Sequence, residues 1–224
     1  GMVFKDKDGR YVMIDDPKFD PIFEYLTEKG VPIIGHIGEP KSCWLPLEEM
    51  KIKFDREYFV SHPEYHMYLH PEYPSYETLI NARDNMLFKH PNLRFIGCHL
   101  GSLEWSLDEL GKRFDEFPNM AVDTADRLAH LAVLSQTDWD KLRSFIIKYQ
   151  DRIIFGSDFG SDWEINKTFN LEIFKTRMHE KWIKAWKFFA SRETMTLAEL
   201  DGEFKGLALP KTVVEKIFRA NAEK

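Results

Sequence analysis

This sequence has few cysteines, no long apolar run and no excess of positive charge. Each of these features excludes a class of protein. The two cysteines, Cys43 and Cys98, form no Cys-x-x-Cys pair, which excludes a disulfide scaffold and a structural zinc knuckle. No run of about 18 apolar residues occurs, so we expect no membrane-spanning helix. The 31 Lys and Arg residues are outnumbered by 37 Asp and Glu residues, and the net charge of −6 disfavours nucleic acid and anionic membranes as partners.

The apolar content is high enough to exclude a disordered chain. Hydrophobic residues make up 43% of the 224 residues and aromatic residues 14%, so we expect a globular protein with a sizeable core. The charged start lacks the apolar segment of a signal peptide, which predicts a cytoplasmic protein. Gly1 before Met2 is typical of a residue left by tag removal.

Short apolar runs alternate with amphipathic segments along the chain. The runs read as buried strands: Val31–Gly35, Leu93–Cys98, Met120–Asp123 and Arg152–Gly156. Helices are predicted from Pro17 to a stop at Gly30, over Ser75–His90, from Ser102 through Phe114 and over Asp138–Tyr149. This alternation requires crossover connections, so the predicted class is α/β with a parallel sheet.

Other segments are less regular. The proline-rich stretch Gly38–Pro74 reads as a long connection with one short helix at most. Further helices are predicted over Ile165–Ser191, over Thr196–Leu200 and from Pro210 onward. His66 and His70 are four residues apart, but the neighbouring prolines favour a loop over a zinc-binding helix.

Polar residues follow the predicted strands, at the edge where α/β proteins bind their ligands. They are His36, His99, Asp123 and Asp158. One His after a strand is more often a hydrogen-bonded structural residue than a ligand. Two imidazoles and a carboxylate at one edge, however, suit a divalent metal with an open position for water or substrate. Zinc is the metal we expect, with manganese and magnesium as alternatives.

Several of these segments resemble the metal-dependent amidohydrolase superfamily, in particular its amidohydrolase-related TIM-barrel hydrolases and decarboxylases. The resemblance rests on Gly30–His36, His90–Gly101, Ala121–Ala125, Asp151–Asp158 and Ile217–Ala222. It implies that His36 is a metal ligand, and that His99 ligates the metal or polarises the substrate. It also implies that Asp158 is both a ligand and the general base.

The sequence departs from this family at one important point. The family begins with a His-x-His pair of metal ligands after its first strand, and no His-x-His occurs in this chain. The matched strands correspond to the last four of eight. We therefore expect one domain over residues 1–224, an incomplete TIM barrel of about four strand–helix units with extra C-terminal helices. This would be the C-terminal part of a longer enzyme, with weak or absent metal binding.

Three further residues are candidates for substrate contact. Glu39 and Trp44 follow His36 and could line a cleft, or be a solvated carboxylate and a core tryptophan. Arg127 could bind a substrate carboxylate in a bidentate manner, or form a surface ion pair.

The predicted function is that of a metal-dependent hydrolase using activated water on a small-molecule amide, ester or lactone, or a related nonoxidative decarboxylase. The alternative is a noncatalytic, degenerate barrel that binds partners. Four strands of an incomplete barrel have open edges, so we expect a homodimer that covers them, with Val31–Ile34, Phe95–Ile96 or Ile153–Phe155 at or beneath the interface. The alternative is a compact monomer in which the segments Gly1–Asp16 and Gly38–Pro74 fold over the sheet edge.

Overall fold

The computed structural model describes residues 4–36, 40–160 and 170–224. These residues form two compact units, Gly1–Asp123 and Thr124–Lys224. The α/β class predicted from the sequence is confirmed, whereas the single domain over 1–224 stays a prediction. Within the described ranges, no helix is both long enough and apolar enough to cross a membrane.

The first unit is built on three parallel strands in the order β1-β2-β3. They are β1 (Ile33–Gly35), β2 (Phe95–Gly97) and β3 (Met120–Asp123), and the register pairs Gly35 with Gly97 and Gly97 with Val122. Phe95 and Val122 are buried, as a covered sheet requires, but Ile34 is 68% exposed. The prediction that both faces of the first strand are covered is therefore wrong at Ile34, because β1 pairs with β2 on one side and its described neighbours leave one face open.

Helices connect these strands, and the first and third of them begin near the predicted residues. They are α1 (Asp20–Lys29), α2 (Lys53–Ser61), α3 (Tyr76–Lys89), the single turn α4 (Cys98–Gly101) and α5 (Leu107–Glu116). Gly30 ends α1 in the left-handed conformation, and the Ser75 hydroxyl accepts a hydrogen bond from the Thr78 amide at the start of α3. The helix predicted from Ser102 begins instead at its cap Ser106, four residues later.

The connection between β1 and α3 is more ordered than predicted. It contains α2 and four short 3-10 helices, Lys41–Trp44, Leu47–Glu49, Pro63–Tyr65 and Met67–Leu69. A small core of its own holds it together, formed by Cys43, Met50, Phe59 and Met67. His66 is buried here and its Nε2 lies 2.8 Å from the Leu45 carbonyl oxygen, in agreement with a structural role.

The second unit contains α6 (Leu128–Lys148), β4 (Ile153–Ile154), α7 (Leu171–Ala190), β5 (Thr194–Met195), β6 (Phe204–Lys205), α8 (Lys211–Glu215) and a π-helical turn (Lys216–Ala220). Asp138, the predicted helix start, lies within α6 at a break with φ −154°, and its carboxylate accepts a hydrogen bond from the Lys141 amide. Part of the helix predicted from Ile165 lies outside the described residues.

The short helix predicted over Thr196–Leu200 is wrong. Antiparallel β5 and β6 flank this segment, with Thr194 opposite Lys205, and Gly202 turns the chain at φ +81°. Five residues are too few to offset the cost of helix nucleation, whereas the strand pairing provides hydrogen bonds directly.

Candidate active site

Two histidines of the first unit meet at the carboxyl ends of adjacent strands. His36 follows Gly35 of β1, and His99 lies two residues beyond Gly97 of β2. Gly35 and Gly97 are paired in the register of the two strands. Their ring centroids are 4.8 Å apart and the rings are nearly perpendicular, at 85°. His99 is buried, with 6% exposure, whereas His36 is exposed. The structure therefore brings together two of the residues that the sequence predicts for the site.

His99 belongs to a left-handed turn. The residues 99–102 have φ values of 58°, 57°, 62° and 57°, and three of the four are not glycine. Each non-glycine residue in this region costs roughly 1–2 kcal/mol, so the turn is strained and needs support from its surroundings. Part of this support comes from Asp123 at the end of β3, whose Oδ1 accepts a hydrogen bond of 2.7 Å from the His99 amide. Asp123, which the sequence places at the same edge, therefore contacts the backbone of His99.

Glycine is required beside this turn. A Cβ on Gly97 would lie 2.8 Å from the Cα of Gly101, so the strand end and the turn approach each other more closely than any other residue type allows. Gly101 itself has φ +62° and packs against Met120 and Val122. The sequence motif Gly97-Cys98-His99-Leu100-Gly101 therefore encodes a tight strand-to-turn connection that presents His99.

The two imidazoles suit a divalent metal in their donor chemistry, since neutral imidazole is a preferred ligand of zinc and related ions. A catalytic metal normally keeps three protein ligands. Among the residues that the structure describes, no group of three or more His, Cys, Asp or Glu side chains is arranged to hold a metal. The pair His36 and His99 thus offers two imidazole donors, and no third metal-binding side chain is assembled with them in the described part of the chain.

Asp158 lies in the second unit, four residues after β4. It is exposed and has φ +49°, an unusual conformation that Asp and Asn tolerate better than most residues. The segment that leads to it is fixed by the Thr124 hydroxyl, which accepts a hydrogen bond from the Gly156 amide. A Cβ on Gly156 would approach Ala125 to 3.0 Å. The role of Asp158 as ligand and base stays a prediction.

Arg127, also in the second unit, is buried, and its guanidinium pairs with the half-exposed carboxylate of Asp126. Its side chain is 7% exposed, and Nη1 donates to the Asp126 carbonyl oxygen at 2.9 Å, while the Asp126 carboxylate lies 4.0 Å away. The Nε of Arg127 is buried and has no hydrogen-bond partner among the described residues. A buried guanidinium with an unused donor is the kind of group that an anionic ligand would satisfy.

The other two substrate-contact candidates have different outcomes. Trp44 is half-buried, packs against the small core of Cys43, Met50, Phe59 and Met67, and stacks edge-on with Tyr76 at 5.6 Å. Its contacts are those of a packing residue, and a role in substrate binding stays a prediction. Glu39 lies outside the described residues.

Sequence reasoning missed a polar cluster that follows the left-handed turn. Glu104 is 3% exposed, its Oε1 accepts a hydrogen bond from the Lys41 amide at 2.8 Å, and its Oε2 has no partner among the described residues. The Lys41 ammonium lies 3.8 Å above the Trp105 ring. Burial raises the pKa of Tyr76 above its usual value, and the Glu104 carboxylate raises it further. The sequence signal was weak, because a single Glu in a loop reads as solvated.

These features define a parallel α/β protein with paired histidines at the carboxyl ends of neighbouring strands. The sequence model of the family described as "Amidohydrolase" matches residues 4–224, and the chain therefore belongs to that family. This finding confirms the resemblance inferred from the strand-end motifs. No curated protein matches the chain.

The solved structures to which this chain is similar include two kinds of protein. An uncharacterised TIM-barrel protein from Bordetella bronchiseptica is 16% identical, with 95% of this chain and 51% of that chain covered, at a TM-score of 0.45. 2,6-Dihydroxybenzoate decarboxylase from Rhizobium is 16% identical (98% and 58% covered, TM-score 0.47). A dihydroxybenzoic acid decarboxylase from Polaromonas sp. JS666, solved with manganese and 2-nitroresorcinol, is 15% identical (95% and 54% covered, TM-score 0.45). The chain spans about half the length of these structures.

Proposed function

We propose that this chain carries out metal-assisted chemistry on a small molecule, either hydrolysis of an amide, ester or lactone or nonoxidative decarboxylation. The observation that carries the proposal is the pair His36 and His99, whose rings lie 4.8 Å apart at adjacent strand ends of an amidohydrolase-family chain. Ligand sites in parallel α/β proteins lie at this edge, and two convergent imidazoles there are suitable donors for a divalent metal. We further propose that the chain acts as a homodimer in the cytoplasm.

The proposed ligands are His36, His99 and Asp158, the first two supported by their contact and the third by the family resemblance. A divalent metal, which we propose to be zinc, would lower the pKa of water or polarise a carbonyl group. In the alternative role, in which His99 polarises the substrate instead of ligating the metal, its imidazole would face the oxygen on which negative charge develops, with its amide held by Asp123. Asp158, as a carboxylate, would accept a proton from water in hydrolysis.

Arg127 supports an acidic substrate. Its buried Nε has no hydrogen-bond partner among the described residues, and a bound carboxylate would supply one. We therefore propose that the substrate carries a carboxylate group. In decarboxylation this carboxylate would be the group that leaves as CO₂. In hydrolysis the same group would fix the orientation of the substrate.

A noncatalytic, partner-binding protein is the second candidate. It is favoured by one observation: no group of three metal-binding side chains is assembled among the described residues. The two candidates differ in whether any substrate turns over.

The test is an activity screen of the purified chain with Zn²⁺, Mn²⁺ or Mg²⁺, in which small carboxylic acids are assayed for CO₂ release and amides, esters and lactones for hydrolysis. We expect turnover in one class and a loss of about 10²–10⁴-fold in kcat for Asp158→Asn, because the amide cannot accept a proton. Asn tolerates the positive φ of Asp158, so the backbone is retained. The control is Asp140→Asn, at an exposed aspartate in α6, which should be fully active.

Two results would contradict the proposal. The absence of turnover with every metal and substrate class would support the noncatalytic candidate. An active chain in which Asp158→Asn has unchanged kcat would remove Asp158 from the mechanism.

A further inference from the structure

The left-handed turn that carries His99 is held by side chains from other parts of the first unit. Asp123 accepts the His99 amide, the Tyr76 hydroxyl donates to the Ser102 carbonyl oxygen, and Nη1 of Arg83 donates to the Gly101 carbonyl oxygen at 2.5 Å. Two of these three contacts therefore come from α3, which lies about 20 residues earlier in the chain. These tertiary contacts add to the backbone hydrogen bonds of the turn itself, such as the one of 3.1 Å from the Ser102 amide to the His99 carbonyl oxygen.

The contact from Arg83 carries a free-energy cost, because a charged guanidinium must be buried to make it. Its side chain is 0% exposed, and burial lowers its pKa below the usual value, while the neighbouring Asp84 opposes that shift. Nε and Nη2 both donate to Asp84 Oδ1, at 2.9 and 2.7 Å, which pairs the buried charge. An apolar residue of similar volume would fill the same space without the desolvation cost of a guanidinium.

What an apolar residue could not do is bind the Gly101 carbonyl. The guanidinium is a rigid fork, so the nitrogens that pair with Asp84 fix the direction in which Nη1 points. In this direction Nη1 meets the carbonyl oxygen of Gly101 in the turn. A Cβ on Gly101 would lie 3.5 Å from this nitrogen, so the turn and the guanidinium are packed directly against each other.

We propose that Arg83 is a positioning residue: by holding the Gly101 carbonyl it keeps the turn left-handed and keeps the His99 imidazole against His36. This inference deepens the proposed function, and it rests on that function only where it concerns metal binding. The geometric part, contact between the two rings, can be tested on the protein without metal.

Arg113 provides a matched control for Arg83. Its Nε donates to Asp84 Oδ2 at 3.1 Å, so Arg113 belongs to the same ion-pair network, and its other contacts go to Glu109 in α5. Replacing either arginine by methionine removes a guanidinium from Asp84. Of the two, Arg83 is the one that donates to the turn.

The experiment compares Arg83→Met, Arg83→Lys and Arg113→Met in histidine-labelled protein by NMR. In the wild type, perpendicular rings 4.8 Å apart should give a nuclear Overhauser effect between His36 and His99 and a ring-current shift. We expect both signals to be lost in Arg83→Met and retained in Arg113→Met. A lysine can pair with Asp84 but lacks the fork that reaches Gly101 at the same time, so Arg83→Lys should also lose them.

A second readout is the dissociation constant for Zn²⁺. We expect it to rise at least about 10-fold in Arg83→Met, the scale seen when a group that orients a metal ligand is removed, and to change less than about 3-fold in Arg113→Met. If the wild type shows the ring contact but binds no Zn²⁺, the proposed metal function fails while the ring signals still decide the role of Arg83.

The inference is overturned if a folded Arg83→Met keeps the ring contact at wild-type strength, or if Arg113→Met loses it equally. Should Arg83→Met fail to fold, Arg83→Lys decides the question. A folded lysine variant with both ring signals intact would show that the guanidinium does not position His99.

Discussion

Gly97→Ala is the substitution that probes the strand-to-turn connection most directly. The added Cβ would lie 2.8 Å from the Cα of Gly101, about 0.7 Å closer than the ~3.5 Å of ordinary carbon–carbon contact. The atom it meets belongs to the backbone, so no rotation of a side chain can relieve the contact. The whole left-handed turn must move, and His99 must move with it.

The cost follows from this geometry. Overpacking by one methyl group costs about 1–3 kcal/mol, and we expect the upper half of that range here because backbone rather than a flexible side chain is displaced. In a chain of this size a loss of ~2–3 kcal/mol lowers Tm by about 5–10 °C. Gly160→Ala is the control, since a Cβ at Gly160 meets no atom of the described residues within 4 Å.

Urea unfolding followed by circular dichroism measures the effect. The reasoning predicts a clear loss of unfolding free energy for Gly97→Ala and a change within about 0.5 kcal/mol for Gly160→Ala. Equal stability of Gly97→Ala and wild type would refute the close approach of strand and turn.

Three further predictions concern other parts of the chain. Ser75→Ala should lower the unfolding free energy by about 1 kcal/mol, because the Ser75 hydroxyl accepts a hydrogen bond from the Thr78 amide at the start of α3. A change below about 0.3 kcal/mol in urea unfolding would contradict this capping role. The raised pKa of Tyr76 means that the folded state holds the phenolic proton more tightly, so the unfolding free energy should fall as the pH rises above about 10. Unfolding curves between pH 8 and 11 should show a shallower fall for Tyr76→Phe, and an identical fall would remove Tyr76 as its source. For the proposed homodimer, light scattering should give about twice the 26.5 kDa chain mass. Ile34→Lys should shift the equilibrium toward the monomer, because Ile34 is exposed on β1. A wild-type monomer at every concentration would contradict the homodimer.

Local signals predicted the regular elements well. Gly30 as a stop, Ser75 as a cap and strands within the runs Val31–Gly35 and Leu93–Cys98 are encoded by neighbouring residues, and the structure has these elements there. The helix predicted over Thr196–Leu200 is absent because strand pairing of the flanking Thr194–Met195 with Phe204–Lys205 outweighs a weak helical pattern of five residues.

The contact between His36 and His99 was predictable from the sequence, but the contacts that hold His99 in place were not. His36 and His99 follow from their places after buried strands, because parallel strands end at one edge. The left-handed turn was not predictable, since positive φ at His99 and Leu100 is disfavoured locally and is maintained by side chains such as Arg83, 16 residues before His99 in the sequence. The predicted helix start at Ser102 was wrong because Ser102 belongs to this left-handed turn, and the helix begins after Ser106.

The central claim is that His36 and His99 together form the core of a metal site. Calorimetric titration of the metal-free chain with Zn²⁺ tests it most directly, with His36→Gln, His99→Gln and, as control, His179→Gln at an exposed position of α7. We predict weak binding of one ion per chain, because two imidazoles and at most one carboxylate are the proposed ligands, with at least a 10-fold loss of affinity in each of the first two variants and no change in the third. Wild-type affinity in both His36→Gln and His99→Gln would contradict the claim.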